Sequence, residues 1–195
     1  MHEYPWQVSF SLLEKNHYEG HNCGGSLINN QWILSAAHCF QGADNNPRIW
    51  RAVLGDHDLN RTNDAEHVDF RISRIINHPN YNRQNANFDF ALVRLEKKVS
   101  FSSHRHRHIR PICLPKNDRY TYEGKAATAT GWGRMNNTYN IFPTKLREVN
   151  LKVLSNTDCV IKYKWPSHQI TEQMLCAFGN GKKSTCNGDS GKKIL

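Results

Sequence analysis

Three short stretches of this 195-residue chain carry side chains that could act together in covalent chemistry. Ser35-Ala36-Ala37-His38-Cys39 holds an imidazole, and Phe88-Asp89-Phe90-Ala91-Leu92 holds a carboxylate. Thr185-Cys186-Asn187-Gly188-Asp189-Ser190-Gly191 holds a hydroxyl between glycines. A serine hydroxyl is a poor nucleophile near neutral pH and needs a base beside it. Imidazole, with an ordinary pKa of about 6.5, can take that proton and return it. A carboxylate behind the ring holds its tautomer and stabilises the imidazolium. Glycines beside the serine allow a tight turn and leave backbone N–H groups for a developing oxyanion. Each stretch alone has a plainer reading, a core histidine or a polar turn. Found together, in the order His, Asp, Ser with gaps of 51 and 101 residues, they point to an activated hydroxyl.

Bringing such distant residues together requires a scaffold, and the pattern is one of short β-like runs. Candidates are 6–13, 26–28, 31–35, 50–54, 68–76, 90–95, 126–130, 146–154 and 174–177, rich in Val, Ile, Thr and aromatics. Asn, Asp, Gly and Pro punctuate them. One helix is predicted at 156–163, capped by Ser155 or Asn156. No repeat of 20–50 residues is visible. The pattern fits an antiparallel barrel or sandwich, all-β in class. A polar connection at 97–110 divides the chain into two successive β units.

Composition narrows the setting. Lys plus Arg is 26 against 17 acidic residues, a formal charge of +9. That balance favours polyanions such as heparin-like glycans or acidic membranes. The longest apolar run is far short of a membrane span. Residues 1–10 have neither the basic region nor the apolar core of an intact signal peptide. Six cysteines without a C-x-x-C pair argue for disulfides over zinc, and for an oxidising, extracellular compartment. Spacing alone leaves their pairing open. Two glycosylation sequons, Asn60-Arg61-Thr62 and Asn136-Asn137-Thr138, agree with secretion. Nucleic acid is not an expected partner.

At the three stretches the chain resembles the trypsin-like (chymotrypsin-fold) serine proteases. The likeness runs from about Glu3 to Gly191. It also takes in Tyr4-Pro5-Trp6-Gln7-Val8, Cys23-Gly24-Gly25-Ser26-Leu27-Ile28, Arg110-Pro111-Ile112-Cys113-Leu114-Pro115 and Gly131-Trp132-Gly133. It implies His38 as general base and then acid, Asp89 orienting it, and Ser190 as nucleophile. The N–H groups of Gly188 and Ser190 would form the oxyanion hole. The fold implied is two six-stranded antiparallel barrels, the first at 1–105 with His38 and Asp89, the second at 106–195 with Ser190. Disulfides Cys23–Cys39 and Cys159–Cys176 are implied as well. The floor of the substrate pocket would be Ser184, six residues before the nucleophile. A serine there cannot neutralise Lys or Arg, so a chymotrypsin-like preference for large apolar or aromatic side chains follows, with an elastase-like one as runner-up. Partners implied are protein or peptide substrates and protease inhibitors; no cofactor is required.

The chain departs from the family pattern at both ends. The amine exposed by activation would pair with Asp189, but it would lie upstream of Met1-His2-Glu3. After Ser190-Gly191 the sequence runs Lys192-Lys193-Ile194-Leu195, and the last strands of the second barrel are expected to be missing. Cys186 would have its partner beyond that end, Cys113 would pair with a pro-segment, and Ala127 stands where a cysteine is common. Two further sites draw notice. The polar segment 55–67 resembles a family calcium loop, with Asp56 and Glu66 as outer carboxylates. The run His104-Arg105-His106-Arg107-His108 reads either as a polyanion or zinc patch or as a solvated loop. Two functions follow: a secreted serine endopeptidase or an inactive fragment of one, or a non-catalytic homologue that binds polyanions or regulates.

Overall fold

A computed structural model describes residues 3–14, 17–60, 67–117, 120–135, 141–164, 170–179, 185 and 188–191. The first half closes into a barrel. Its strands are β1 (Gln7–Glu14), β2 (His17–Leu27), β3 (Trp32–Ser35), β4 (Trp50–Leu54), β5 (Val68–Asn77) and β6 (Ala91–Leu95). They pair antiparallel in the order β1-β2-β3-β6-β5-β4. Alternation decides which side chains point inward. Trp50, Ala52 and Leu54 of β4 and Ala91, Val93 and Leu95 of β6 are buried, while the residues between them face outward. Val8, Phe10, Leu27, Ile33, Leu54, Val93 and Leu95 are fully buried and fill the interior. Phe10, Phe40 and Trp50 pack edge to face, with centroids 5.0–6.3 Å apart.

β2 is much longer than its apolar run at 26–28 predicts. Its additional residues are polar and include Gly20, Gly24 and Gly25, so the alternation that marks a strand is missing. The barrel supplies the reason for one of these glycines. A Cβ on Gly25 would lie 2.7 Å from Ile33 and 2.8 Å from Phe10.

The second half does not form a second six-stranded barrel in the described residues. It forms a three-stranded antiparallel sheet, β7 (Ala126–Gly131), β8 (Arg147–Leu154) and β9 (Cys176–Phe178), in that order. Three strands are too few to close on themselves. Helix α1 (Asn156–Tyr163) follows β8 as predicted, and Ser155 Oγ caps it by accepting from Asp158 N at 3.0 Å. Cys159 joins Cys176, tying α1 to β9. Among the described residues no helix is long and apolar enough to cross a membrane.

The two halves are fastened together by hydrogen bonds, one of them between buried side chains. Thr130 Oγ1 donates to Gln7 Oε1 at 2.7 Å, with both residues buried. Leu146 N donates to His57 O (2.8 Å) and Leu59 N to Thr144 O (2.9 Å). Ile112 N reaches Leu27 O at 2.8 Å, and Arg110 N reaches Pro5 O at 3.0 Å. The Tyr4 hydroxyl donates to the Glu148 carboxylate. Burial, that bond and the adjacent negative charges push the Tyr4 pKa up to about 12, so it keeps its proton.

Candidate active site

His38 sits on a 3-10 turn, Ala37–Phe40, directly after β3. Ala37, Cys39 and Phe40 are buried, and Phe40 enters the aromatic core, leaving His38 exposed between anchored neighbours. The Cys23–Cys39 disulfide fastens the turn to β2. Asn77 Nδ2 donates to Phe40 O at 2.7 Å and secures its other end. The imidazole is therefore positioned by packing and a covalent link, with little freedom left in the backbone that carries it.

Asp89 lies in the segment just before β6. Its Oδ2 meets His38 Nδ1 at 2.6 Å and its Oδ1 accepts from His38 N at 2.8 Å. One carboxylate thus holds both the ring and the backbone of His38. A carboxylate can only accept, so His38 Nδ1 carries the proton and Nε2 is left as the base in the neutral ring. Hydrogen bonding to Asp89 raises the His38 pKa above the usual imidazole value, with burial opposing and the Asp89 charge assisting. Burial is the largest single influence on Asp89 and pushes its pKa up. The bonds from the His38 ring and backbone and from Ala37, with the imidazolium charge, together hold it below the usual carboxylate value. Nearby, Gln41 Nε2 donates to Tyr81 Oη at 2.8 Å and to His38 O at 3.2 Å. Burial raises the Tyr81 pKa, and the Asp89 charge adds to it.

Ser190 comes from the far end of the chain, and its backbone is pinned to the same strand as the disulfide. Gly24 N donates to Ser190 O at 2.7 Å. Gly24 O in turn accepts from Ser35 Oγ at 2.7 Å. Gly191 has φ +82°, and a Cβ there would lie 2.3 Å from Gly24 O and 2.4 Å from Ser35 Oγ, so only glycine fits this crossing. A short chain of links therefore runs from Ser190 through Gly24, Cys23 and Cys39 to His38. Among the described residues the Ser190 hydroxyl makes no hydrogen bond to His38; the structure joins His38 to Asp89 directly and ties the Ser190 backbone to Gly24 of β2. The N–H groups of Gly188 and Ser190 donate to no acceptor among the described residues, and Gly188 has φ +90°.

The residues around this loop carry little signal in the sequence. His21 spans the gap between barrel and loop. Its Nδ1 meets Ser9 Oγ at 2.7 Å and its Nε2 meets Gly188 O at 2.7 Å, while its ring packs on Trp132 with centroids 5.4 Å apart. A carbonyl can only accept, so Nε2 carries the proton, and in the neutral ring Nδ1 accepts from Ser9. Nothing in the polar stretch around His21 marks it out. Asp189 accepts from Gly133 N at 2.9 Å through Oδ1. A Cβ on Gly133 would lie 2.3–2.5 Å from the Asp189 carboxylate, which explains the glycine after Trp132.

Other expected positions are placed as follows. Asp56 lines a cavity of about 220 Å³ together with Glu3, His57, His108 and Glu148. Its expected calcium partner Glu66, the pocket residue Ser184 and the thiol of Cys186 lie outside the described residues. The group of potential metal donors found among the described residues is Cys23, His38 and Cys39, within 4.8 Å of one another. Two of these are the sulfurs of a disulfide and not thiolates, so the cluster is part of the His38 turn. Cys113 is exposed.

A family model described as Trypsin matches residues 1–192. Transmembrane protease serine 9 of Rattus norvegicus is 35% identical over 194 residues, which is 99% of this chain and 17% of that protein. The chain thus spans about a sixth of the length of that curated relative. The match over nearly the whole chain agrees with the closed barrel, the paired histidine and aspartate and the pinned serine loop: the chain belongs to the trypsin-like serine protease family.

Proposed function

We propose that the site hydrolyses peptide bonds through an acyl-enzyme on Ser190. The observation that carries this reading is the double hold of Asp89 on His38, at 2.6 and 2.8 Å, on a turn disulfide-linked to the strand that binds Ser190. In this mechanism His38 Nε2 takes the Ser190 proton as the hydroxyl oxygen bonds to the scissile carbonyl carbon. The carbonyl electron pair moves onto oxygen, where the N–H groups of Gly188 and Ser190 receive it. The imidazolium then gives its proton to the leaving amine, and the C–N bond breaks. Water repeats the sequence and releases the acid. Asp89 stabilises the imidazolium in both halves without taking a proton.

By family resemblance the serine at position 184, six residues before the nucleophile, falls at the pocket floor, which supports a preference for apolar or aromatic side chains before the scissile bond, because an unpaired Lys or Arg would be costly to bury there. The disulfides support a secreted, oxidised setting. The test is labelling of the chain with a fluorophosphonate, followed by mass spectrometry of the adduct. The expected result is modification at Ser190, abolished by Ser190→Ala and by His38→Ala. Absence of any adduct on folded chain would overturn the reading and leave the polyanion-binding, non-catalytic alternative.

A further inference from the structure

The site explains neither the charge of +9 nor where the arginines lie on the barrel. Arg51 of β4 stands directly opposite Arg71 of β5, and Arg74 of β5 directly opposite Arg94 of β6. Arg71, Arg74 and Arg94 are exposed and Arg51 is half-buried. All four point outward, since their strand neighbours Ala52, Phe70, Ile72, Ile75, Val93 and Leu95 fill the interior. Like charges directly opposed across a sheet are destabilising. Arg51 is relieved by Asp69 at 2.8 Å. Arg71, Arg74 and Arg94 have no acidic partner among the described residues, and Lys97 and Lys98, both exposed, follow β6.

The residue run that looks most like a polyanion site in the sequence is arranged differently. Arg107 donates Nε to His108 Nε2 at 2.6 Å and Nη1 to His104 Nε2 at 2.7 Å. His106 Nδ1 accepts from Ser100 N at 3.0 Å, and its ring packs on Phe70. Two of Arg107's donors are taken up by its histidine neighbours, whereas the strand arginines present theirs outward.

We infer that the outer face of β4, β5 and β6 binds a sulfated polysaccharide. Neighbouring strands lie about 4.8 Å apart and three residues along a strand span about 10 Å, so the four arginines form two rows on the convex outer face of the barrel. An extended chain carrying sulfates on successive sugars fits such rows, and the planar fork of arginine suits their oxygens. The apolar residues on this face, Val53, Ile76 and Leu92, are too few and too short to insert into a bilayer. The disulfides place the chain in an oxidising compartment, away from nucleic acid. None of these arginines contacts His38, Asp89 or Ser190, so binding would localise the protein without touching the site.

The test compares parent, Arg71→Gln/Arg74→Gln/Arg94→Gln and Arg105→Gln/Arg107→Gln for binding to a heparin decasaccharide across a salt series. The ladder variant is expected to lose about tenfold or more in affinity near physiological salt, and its plot of log affinity against log salt to flatten by about one for each arginine removed. Its melting temperature is expected to equal or exceed that of the parent, because the opposed charges are gone. Fluorophosphonate labelling, as a control, is expected to be unchanged. No binding by the parent, a smaller loss in the ladder variant, or a loss confined to Arg105→Gln/Arg107→Gln overturns the inference. Binding of equal strength to a DNA duplex or to phosphatidylserine vesicles overturns the choice of ligand.

Discussion

Asp89→Asn isolates the charge of the carboxylate from its shape. In the parent, Asp89 bonds to His38 through both oxygens, to the ring at 2.6 Å and to the backbone N–H at 2.8 Å. The backbone donor requires an acceptor, so asparagine would place its oxygen there and its NH₂ against Nδ1. That reverses the ring tautomer, leaving Nε2 protonated and unable to accept from Ser190. A charge-assisted hydrogen bond contributes about 1.5–3 kcal/mol. Its loss lowers the His38 pKa, because the hydrogen bond and the Asp89 charge that raise it are gone. The His38 side chain is 40% exposed, so solvent screening moderates that fall. The linkage can be signed. The His38 pKa is raised on folding, so its share of stability is complete below the unfolded imidazole value and lost as pH rises through the folded one. That of Asp89 is lowered, so its share is present above the unfolded carboxylate value and lost as pH falls through the folded one. The stability gap between parent and Asp89→Asn should therefore be widest between about pH 4 and pH 6.5. NMR titration of the His38 ring, assigned with His38→Gln, reads the shift; melting curves across pH read the window. In this family's mechanism, loss of this carboxylate lowers turnover by about 10⁴, so adduct formation at Ser190 should nearly vanish. A His38 ring that titrates at the same pH in parent and variant would refute the reasoning.

Four further substitutions probe the supports. Gly133→Ala should push the Asp189 carboxylate off Gly133 N, costing about 1–3 kcal/mol and slowing labelling of Ser190; an unchanged melting curve would show that the loop yields freely. His21→Leu removes the donor to Gly188 O and should slow labelling more than it lowers stability, and an unaltered labelling rate would count against a role in holding the loop. Cys23→Ala/Cys39→Ala opens a link across 16 residues and should lower stability by about 3 kcal/mol in denaturant titration, with the His38–Asp89 pairing weakened in the same NMR experiment. Ser155→Ala removes the α1 cap and should lower stability by about 1 kcal/mol while leaving labelling at Ser190 intact, which separates damage to the fold from damage to the site.

The reactive side chains, most strands and the helix cap were legible in the residues themselves. Val, Ile and aromatic runs at 50–54 and 68–76 announced β4 and β5, and Ser155 announced α1, because propensity and capping act over a few neighbours. The family resemblance also anticipated both disulfides described in the structure. What no local pattern could supply was decided by chains crossing in space. Within β2, Gly25 admits Ile33 and Phe10 at close range and Gly24 N bonds Ser190 O from the far end of the chain. The bridge made by His21 joins residues 167 positions apart. The second unit, expected as an incomplete barrel, is a three-stranded sheet in the described residues. The conspicuous His-Arg run bonds within itself, while arginines separated by up to 43 positions, from Arg51 to Arg94, are gathered on one face by strand register. Propensity is a property of neighbours along the chain; register, crossing and charge juxtaposition are properties of the closed barrel and exist only once it has formed.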